Sequence, residues 1–358
     1  MSHVSTPAID TDKLNALMGQ ALVEVGGTFN AALVLLGEEL GLYKALHEAG
    51  AMSADALAAQ TGTDARYVRE WLSAQAASGF VTYDPTFDRF HLTPEQAMAF
   101  AIPDSPAYLP GSFQVALAAT AARPAMLERF RSGKGLGWHE HDHGVFEGTE
   151  RFFRTSYNTH LVPDWLPALD GVVDKLTRGA SVADVGCGHG ASTIIMAKAF
   201  PGSRFVGYDY HERSVEQATE RARAAGVGDR VRFEVAAAKS FPGRGYDLIT
   251  MFDCLHDMGD PVGAARHVRE ALAADGTWMI VEPFANDTLA ENLNPVGRLY
   301  YAASTFVCTP ASRSQEVGLA LGAQAGASRL TEVLREGGFT RVRRATETPF
   351  NMVLEARP

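Results

Sequence analysis

Cysteine is scarce in this chain, with three residues among 358, and Cys187, Cys254 and Cys308 show no metal-ligand spacing and cannot all pair with one another. A disulfide framework is therefore excluded, and Cys187 and Cys254 read as reduced, small, buried hydrophobes. Basic charge is also short. Lys and Arg number 32 against 42 Asp and Glu, a formal net charge of −10, which disfavours a polyphosphate partner because phosphate binding needs basic surface. The first residues, MSHVSTPAIDTDK, lack the basic start and apolar middle of a secretory leader. No apolar run is expected to reach a membrane span, so a cytoplasmic protein is expected. What remains is an ordinary globular composition, 46% hydrophobic and 21% charged, long enough for two domains.

The most informative stretch is VADVGCGHG, Val182 to Gly190, followed by FVGYDY, Phe205 to Tyr210. It reads as a strand, a loop of Gly186, Gly188 and Gly190, a helix from Ala191 to Phe200, and a second strand ending at Asp209. Glycine suits a loop that takes positive φ and lets a ligand approach bare backbone. A carboxylate at the end of the next strand can accept both hydroxyl protons of a ribose, so the pattern points to an adenosine cofactor. The spacing is G-x-G-x-G, not the dinucleotide G-x-G-x-x-G, and Asp184 precedes the first glycine by two residues. A carboxylate repels a pyrophosphate and attracts an ammonium group. The stretch resembles motif I of class I S-adenosylmethionine-dependent methyltransferases, with Asp184, Gly186 and Gly188 at the methionine end, Asp209 on the ribose and Tyr210 beside it.

The front of the chain reads as helical. Apolar positions at helical spacing fill residues 13–50, interrupted by Gly26, Gly27 and Gly41, and such amphipathic helices need a partner surface. Ser53 is expected to cap one short helix and Asp64 a second that runs to Ala77. A β-hairpin around Asp84 and Pro85 follows. Helix, turn, helix and wing form the winged-helix pattern. It binds DNA in some proteins, but acidic residues outnumber basic ones between Gly41 and Ile102, and a dimerisation module fits better. Residues 103–165 read as a helical connector and pocket lid. Within it His139, His141 and His143 alternate, but Gly135, Gly137 and Gly144 make the segment a loop, and no metal is expected.

After Asp209 the chain alternates helices and strands: Val231–Val235, Tyr246–Phe252, a helix from Pro261, Thr277–Glu282, a long insertion over 283–327, and a terminal strand pair. The fold class expected is α/β, a doubly wound Rossmann-like sheet with an N-terminal, mostly helical winged-helix domain. The expected divisions are 1–102, 103–165 and 166–358. Ligands bind at the carboxyl ends of such strands, which gathers Asp184, Gly186, Asp209, Phe252 to His256 and Glu282 at one crevice. His256, just past a strand end in MFDCLHDMGDP with Asp253 and Asp257 close by, is the candidate general base for removing a hydroxyl proton.

The whole chain is similar to two-domain small-molecule O-methyltransferases of plants and bacteria, in which a dimerising winged helix precedes a class I catalytic domain. The resemblance implies S-adenosyl-L-methionine as cofactor and a homodimer formed through the front helices. It implies His256 in LHDM as the base and Glu282 in VEP as its orienting partner, with aromatic and polar residues near the cofactor matched by Phe153, Tyr157 and His160. The family's acid near the adenine is replaced here by Ala237 and Ala238, leaving Phe252 and Asp253 as further cofactor contacts. In the insertion, Arg298, Tyr300, Tyr301 and Phe306 would suit a flat acceptor. A cofactor-sensing transcription regulator, and transfer to nitrogen by proximity without a base, are the alternative readings.

Overall fold

Asp10 starts the first helix, its Oδ1 accepting the N–H groups of Asp12 and Lys13 at 3.1 Å each. The computed structural model describes residues 9–358. The chain divides into two compact units, one ending at Leu117 and the other running from Ala118 to Pro358.

In the first unit, α1 (Thr11–Glu39) is one continuous helix. Gly26 and Gly27 do not interrupt it as the sequence suggested: a glycine within a helix costs about 1 kcal/mol relative to alanine, which the other residues of a long helix absorb. The break comes at Gly41, with φ of 69°. Among the described helices α1 alone meets the length and composition of a membrane span, where no such run was expected. Beyond it lie α2 (Leu42–Ala49), α3 (Ala54–Thr61), α4 (Ala65–Ala77), the antiparallel pair β1 (Thr82–Asp84) and β2 (Arg89–His91), and α5 (Pro94–Phe100). Ser53 and Asp64 cap α3 and α4, which makes the helix–turn–helix and wing read from the sequence. Leu42, Leu46, Leu57, Trp71 and Leu72 form the core. A buried relay runs through it, Tyr43 donating to Gln75 Oε1 at 2.6 Å and Gln75 donating to Asn30 Oδ1 at 2.7 Å. These paired groups let polar side chains sit in the core without an unmet hydrogen bond.

Three helices, α6 (Pro110–Thr120), α7 (Arg123–Ser132) and α8 (His143–Ser156), precede a wide π-helical segment, Tyr157–Trp165. The second unit then alternates α9 (Val172–Arg178), β3 (Ser181–Val185), α10 (Ala191–Ala199), β4 (Arg204–Asp209), α11 (Glu212–Ala224), β5 (Val231–Val235), β6 (Tyr246–Phe252), α12 (Pro261–Ala271) and β7 (Leu272–Pro283). The insertion after β7 carries α13 (Pro295–Phe306) and α14 (Cys308–Arg313). The chain closes with α15 (Gly326–Glu336), β8 (Arg341–Glu347) and β9 (Asn351–Arg357).

The sheet has seven strands in the order β5-β4-β3-β6-β7-β9-β8. Strands β3 to β7 pair in parallel, and β9 joins antiparallel between β7 and β8. Central strands read as unbroken apolar runs because helices cover both faces: Val182, Leu248, Met279 and Val281 pack on one side, and Ala183, Ile249, Trp278 and Ile280 on the other. The strand order reverses between β3 and β6. Such a switch point opens a crevice beyond the strand ends, where ligands bind in sheets of this kind.

Candidate active site

Beyond β3 the backbone turns at Gly186 and Gly188, with φ of 75° and 51°, and enters α10 through Gly190 at 77°. A Cβ on Gly190 would stand 2.6 Å from the Phe233 ring, whereas one on Gly188 would meet nothing within 4 Å. Gly190 thus lets α10 pack against β5, and Gly188 borders open space. From the end of β4, Asp209 closes this loop: Oδ2 accepts the N–H of Gly188 at 2.9 Å and Oδ1 that of His211 at 2.9 Å. Burial pushes its pKa up, and these backbone donors oppose the shift.

A cavity of about 540 Å³ spreads over the strand ends. Of the residues singled out from the sequence, Tyr157, Gly186, Gly188, Asp209, Tyr210, Ala238, Phe252 and Asp253 line it. Asp253 has φ of 51°, a strained backbone for a non-glycine residue. Its carboxylate accepts from Tyr157 Oη at 3.1 Å and Asn351 Nδ2 at 3.0 Å, which holds it at the strand end.

Asp184, His160, His256 and Glu282 do not line the cavity. Asp184 is buried, and its oxygens accept from Ser192 Oγ at 2.7 Å, Thr193 Oγ1 at 2.6 Å and Thr250 Oγ1 at 2.9 Å. It ties the glycine loop to α10 and β6, a role the Ser-Thr pair after Gly190 could have signalled in the sequence. His160 instead bonds Asp164 at 2.7 Å and stacks on Trp165. His256 is 3% exposed and Glu282 1%. The His256 Nδ1 lies 2.5 Å from Glu282 Oε2, while Oε1 accepts the N–H of Leu255 at 3.0 Å. The dyad expected at the crevice is thus formed, but behind its wall. Although burial alone would lower the His256 pKa, the Glu282 carboxylate outweighs it and holds the imidazole well above its usual range.

Sequence reasoning missed Trp138 and Phe146, which line the cavity together with Phe153, Met258 and Gln315. The aromatic residues it favoured in the insertion do not: Tyr300, for one, is buried and donates to the Phe350 carbonyl at 2.8 Å. Neither Trp138 nor Phe146 stands in a motif, and only the return of their segment across the sheet brings them there. The histidine loop borders a second cavity of about 360 Å³, shared with His189 and His211. Among the described residues no cluster of three His, Cys, Asp or Glu side chains is placed to hold a metal ion.

The family described as methyltransferase domain matches residues 176–338, which contain the glycine loop, Asp209 and the His256 turn. Ahead of that match, residues 29–101 match the Rv2258c-like winged HTH domain. The 27-O-demethylrifamycin SV methyltransferase of Amycolatopsis mediterranei is 31% identical over 131 residues, 34% of this chain and 48% of that protein. The O-demethylpuromycin-O-methyltransferase of Streptomyces alboniger is 28% identical over 205 residues, 49% of this chain and 54% of that protein. The chain thus spans about half the length of these curated relatives. The mitomycin 7-O-methyltransferase structure superposes with a TM-score of 0.69 at 20% identity, covering 98% of this chain and 100% of that one. Human N-acetylserotonin methyltransferase in complex with SAM superposes at 0.68 with 15% identity, covering 100% of this chain and 99% of that one. At these identities the superpositions establish the fold alone: a Rossmann-like methyltransferase sheet that follows a mostly helical unit along the chain.

Proposed function

We propose that this protein is a methyltransferase that uses S-adenosylmethionine to methylate a small molecule at a hydroxyl. The observation that carries the reading is Asp209, held by the Gly188 and His211 N–H groups at the mouth of the glycine loop. The residues present fit the cofactor. Each Asp209 oxygen retains a lone pair for a ribose hydroxyl, Ala237, Ala238 and Phe252 offer apolar surface to the adenine, and Gly188 leaves room for the ligand. The carboxylates of Asp209, Asp253 and Asp257 on the same wall favour a cationic ligand. When bound, S-adenosylmethionine supplies a sulfonium methyl whose transfer to a hydroxyl oxygen releases one proton. The cavity volume suits the cofactor with a compact acceptor, and Trp138, Phe146, Phe153 and Met258 give the acceptor an apolar bed. The relatives named for O-methylation support oxygen as the target.

Calorimetric titration with S-adenosylmethionine and S-adenosylhomocysteine, followed by transfer of labelled methyl to a panel of hydroxylated aromatics, tests the reading. Binding of both and label on oxygen are expected. No binding removes the proposal, and label only on amines moves it to nitrogen. A cofactor-sensing DNA-binding regulator is less well supported: Arg66 on α4 is ion-paired with Glu70, and Arg69 with Asp88 at 2.8 Å. Both arginines of the helix that would meet DNA are thus engaged by carboxylates.

The partner we propose for α1 is a second copy of this chain. Leu17, Leu22 and Phe29 are 61%, 73% and 73% exposed, and the buried residues of α1 begin only at Asn30. So long an apolar helix face left to water marks an interface, and the winged helix behind it is the module through which the resembling enzymes dimerise. Replacing Leu22 and Phe29 together by Asp is expected to convert a dimer to a monomer in multi-angle light scattering. A wild-type protein that is already monomeric at the same concentration overturns the assignment.

A further inference from the structure

The second cavity, of about 360 Å³, lies within the second unit and adjoins the first, because His139, Phe146 and His189 line both. Its wall is rich in imidazole. His141 and His189 are 8% and 7% exposed. Among the described residues neither ring nitrogen of His141, nor Nδ1 of His189, has a hydrogen-bond partner. Buried polar groups are normally paired, so two such rings on a cavity wall point to a ligand that pairs them. The backbone beside them favours negative charge. The helix α10 follows His189 and Gly190, and α11 follows His211, and neither N-cap residue gives a side-chain cap. Two helices thus begin beside this wall with their positive ends uncapped. By contrast α8, which begins at His143, is capped by Asp142 accepting the Gly144 N–H at 2.8 Å, and His143 itself lies 3.2 Å from Glu147. Arg213, in the first turn of α11, adds a full positive charge, and the one carboxylate among the described lining residues, Glu216, is exposed.

Resting on the reading of the first cavity as the site of methyl transfer, we infer that the second cavity is a subsite for an anionic group of the acceptor, a carboxylate or a phosphate. His141 and His189 would hold that group together with Arg213, while the acceptor's hydroxyl stays in the first cavity. The two cavities are then electrostatically complementary. The first turns Asp209, Asp253 and Asp257 toward a cationic cofactor, and the second turns imidazole, guanidinium and uncapped helix ends toward an anionic acceptor. A metal ion fits less well, since no three ligands are placed for one among the described residues. The charges around these rings set a pH dependence. Burial lowers the pKa of His141, against Glu140. Burial, then Arg221 and His143, push His189 down to about 4, against Glu147. Burial also lowers His211, with Asp209 opposing and His139, Arg213 and His143 adding to the shift. The rings of the unliganded site are therefore mostly neutral near neutral pH. A bound anion favours the imidazolium form, so binding takes up protons and tightens as pH falls.

The test is calorimetry on the full chain saturated with S-adenosylhomocysteine, in EDTA, comparing hydroxybenzoates and hydroxycinnamates with their methyl esters. At least one acid is expected to bind about 10- to 100-fold more tightly than its ester, the range that one hydrogen bond to a charged group supplies. That preference should grow, with uptake of protons, between about pH 8 and pH 6, where the acid keeps its charge. His141→Leu, which keeps the bulk of the ring and removes both nitrogens, is expected to erase the preference while the ester binds as it does to wild type. Equal affinity for every acid and its ester, a preference indifferent to pH, or one that His141→Leu retains overturns the subsite. A preference seen only without EDTA also overturns it and assigns the histidines to a metal ion. Inorganic phosphate is expected to bind more weakly than the preferred acid by at least about tenfold; phosphate that binds as tightly assigns the site to a free anion and overturns the acceptor. Should melting show His141→Leu unfolded, Arg213→Gln, exposed on α11, serves under the same criteria. A wild type that binds no S-adenosylhomocysteine overturns the proposed function instead, and the acid and ester titrations, run without it, still judge the subsite.

Discussion

Asp209→Ala is expected to weaken binding of S-adenosylhomocysteine by about 10²- to 10⁴-fold in calorimetry while leaving the melting temperature nearly unchanged. The carboxylate does two jobs. It accepts the N–H groups of Gly188 and His211 at 2.9 Å each, which fixes the loop between β3 and α10 relative to the end of β4. It also presents the oxygens to which the ribose hydroxyls would donate. Hydrogen bonds to a charged group contribute about 1.5–3 kcal/mol each, and each 1.4 kcal/mol is about tenfold in affinity. Losing the pair that would reach the ribose gives the stated range. Stability suffers less because Asp209 is only half-buried, so water can reach the freed amide groups of an open loop. Equal affinity in wild type and variant would mean that the cofactor, if it binds, does not use this strand end.

Glu282→Ala is expected to destabilise the folded protein by about 3–5 kcal/mol, read as a shift in the denaturant midpoint. Removing one partner of a buried ion pair strands the other in a medium that solvates it poorly. Glu282 is 1% exposed, its Oε2 lies 2.5 Å from His256 Nδ1, and its Oε1 also accepts the Leu255 N–H at 3.0 Å, so the variant additionally leaves an amide unpaired at the head of the turn. The pH dependence has a definite sign. Because the folded His256 pKa is raised, its contribution is fully present below the unfolded value of about 6.5. That contribution is lost as pH rises through the raised folded value. Wild-type stability should therefore decline on the alkaline side, and Glu282→Gln should lack that component. A loss below about 1 kcal/mol, in the range of an exposed ion pair, would show that the dyad is not buried as described.

Much of the site was legible in the sequence because it is encoded locally. The strand, glycine loop and helix from Val182 to Phe200 occupy one continuous segment, and positive φ at Gly186, Gly188 and Gly190 is a property of the residues themselves. The caps at Ser53 and Asp64 were legible for the same reason. Asp209 was legible because a strand's end is set by its own apolar pattern. The side from which each acid is partnered was not legible. Asp184 looked like a ligand for an ammonium group until Ser192, Thr193 and Thr250 were seen to claim its oxygens, and two of those hydroxyls lie on α10 and the third on a neighbouring strand. His256 and Asp257 stand side by side in LHDM, and no residue-level argument says which faces the cavity.

What the sequence by itself determined is the end of the crevice proposed for the cofactor: the glycine loop, the acid on the following strand, and the alternation of strands and helices that forces a doubly wound sheet with its crevice at the strand ends. Each of these follows from backbone preferences and apolar periodicity over a few consecutive residues. What only the tertiary structure decided is the end proposed for the acceptor: the apolar bed of Trp138, Phe146 and Phe153, the burial of the His256–Glu282 pair, and the place of half-buried Asp257 on the cavity wall. Which way a side chain turns at the end of a strand depends on what packs behind it. In this protein that is Glu282, carried by β7, a strand that meets the turn only once the sheet has formed.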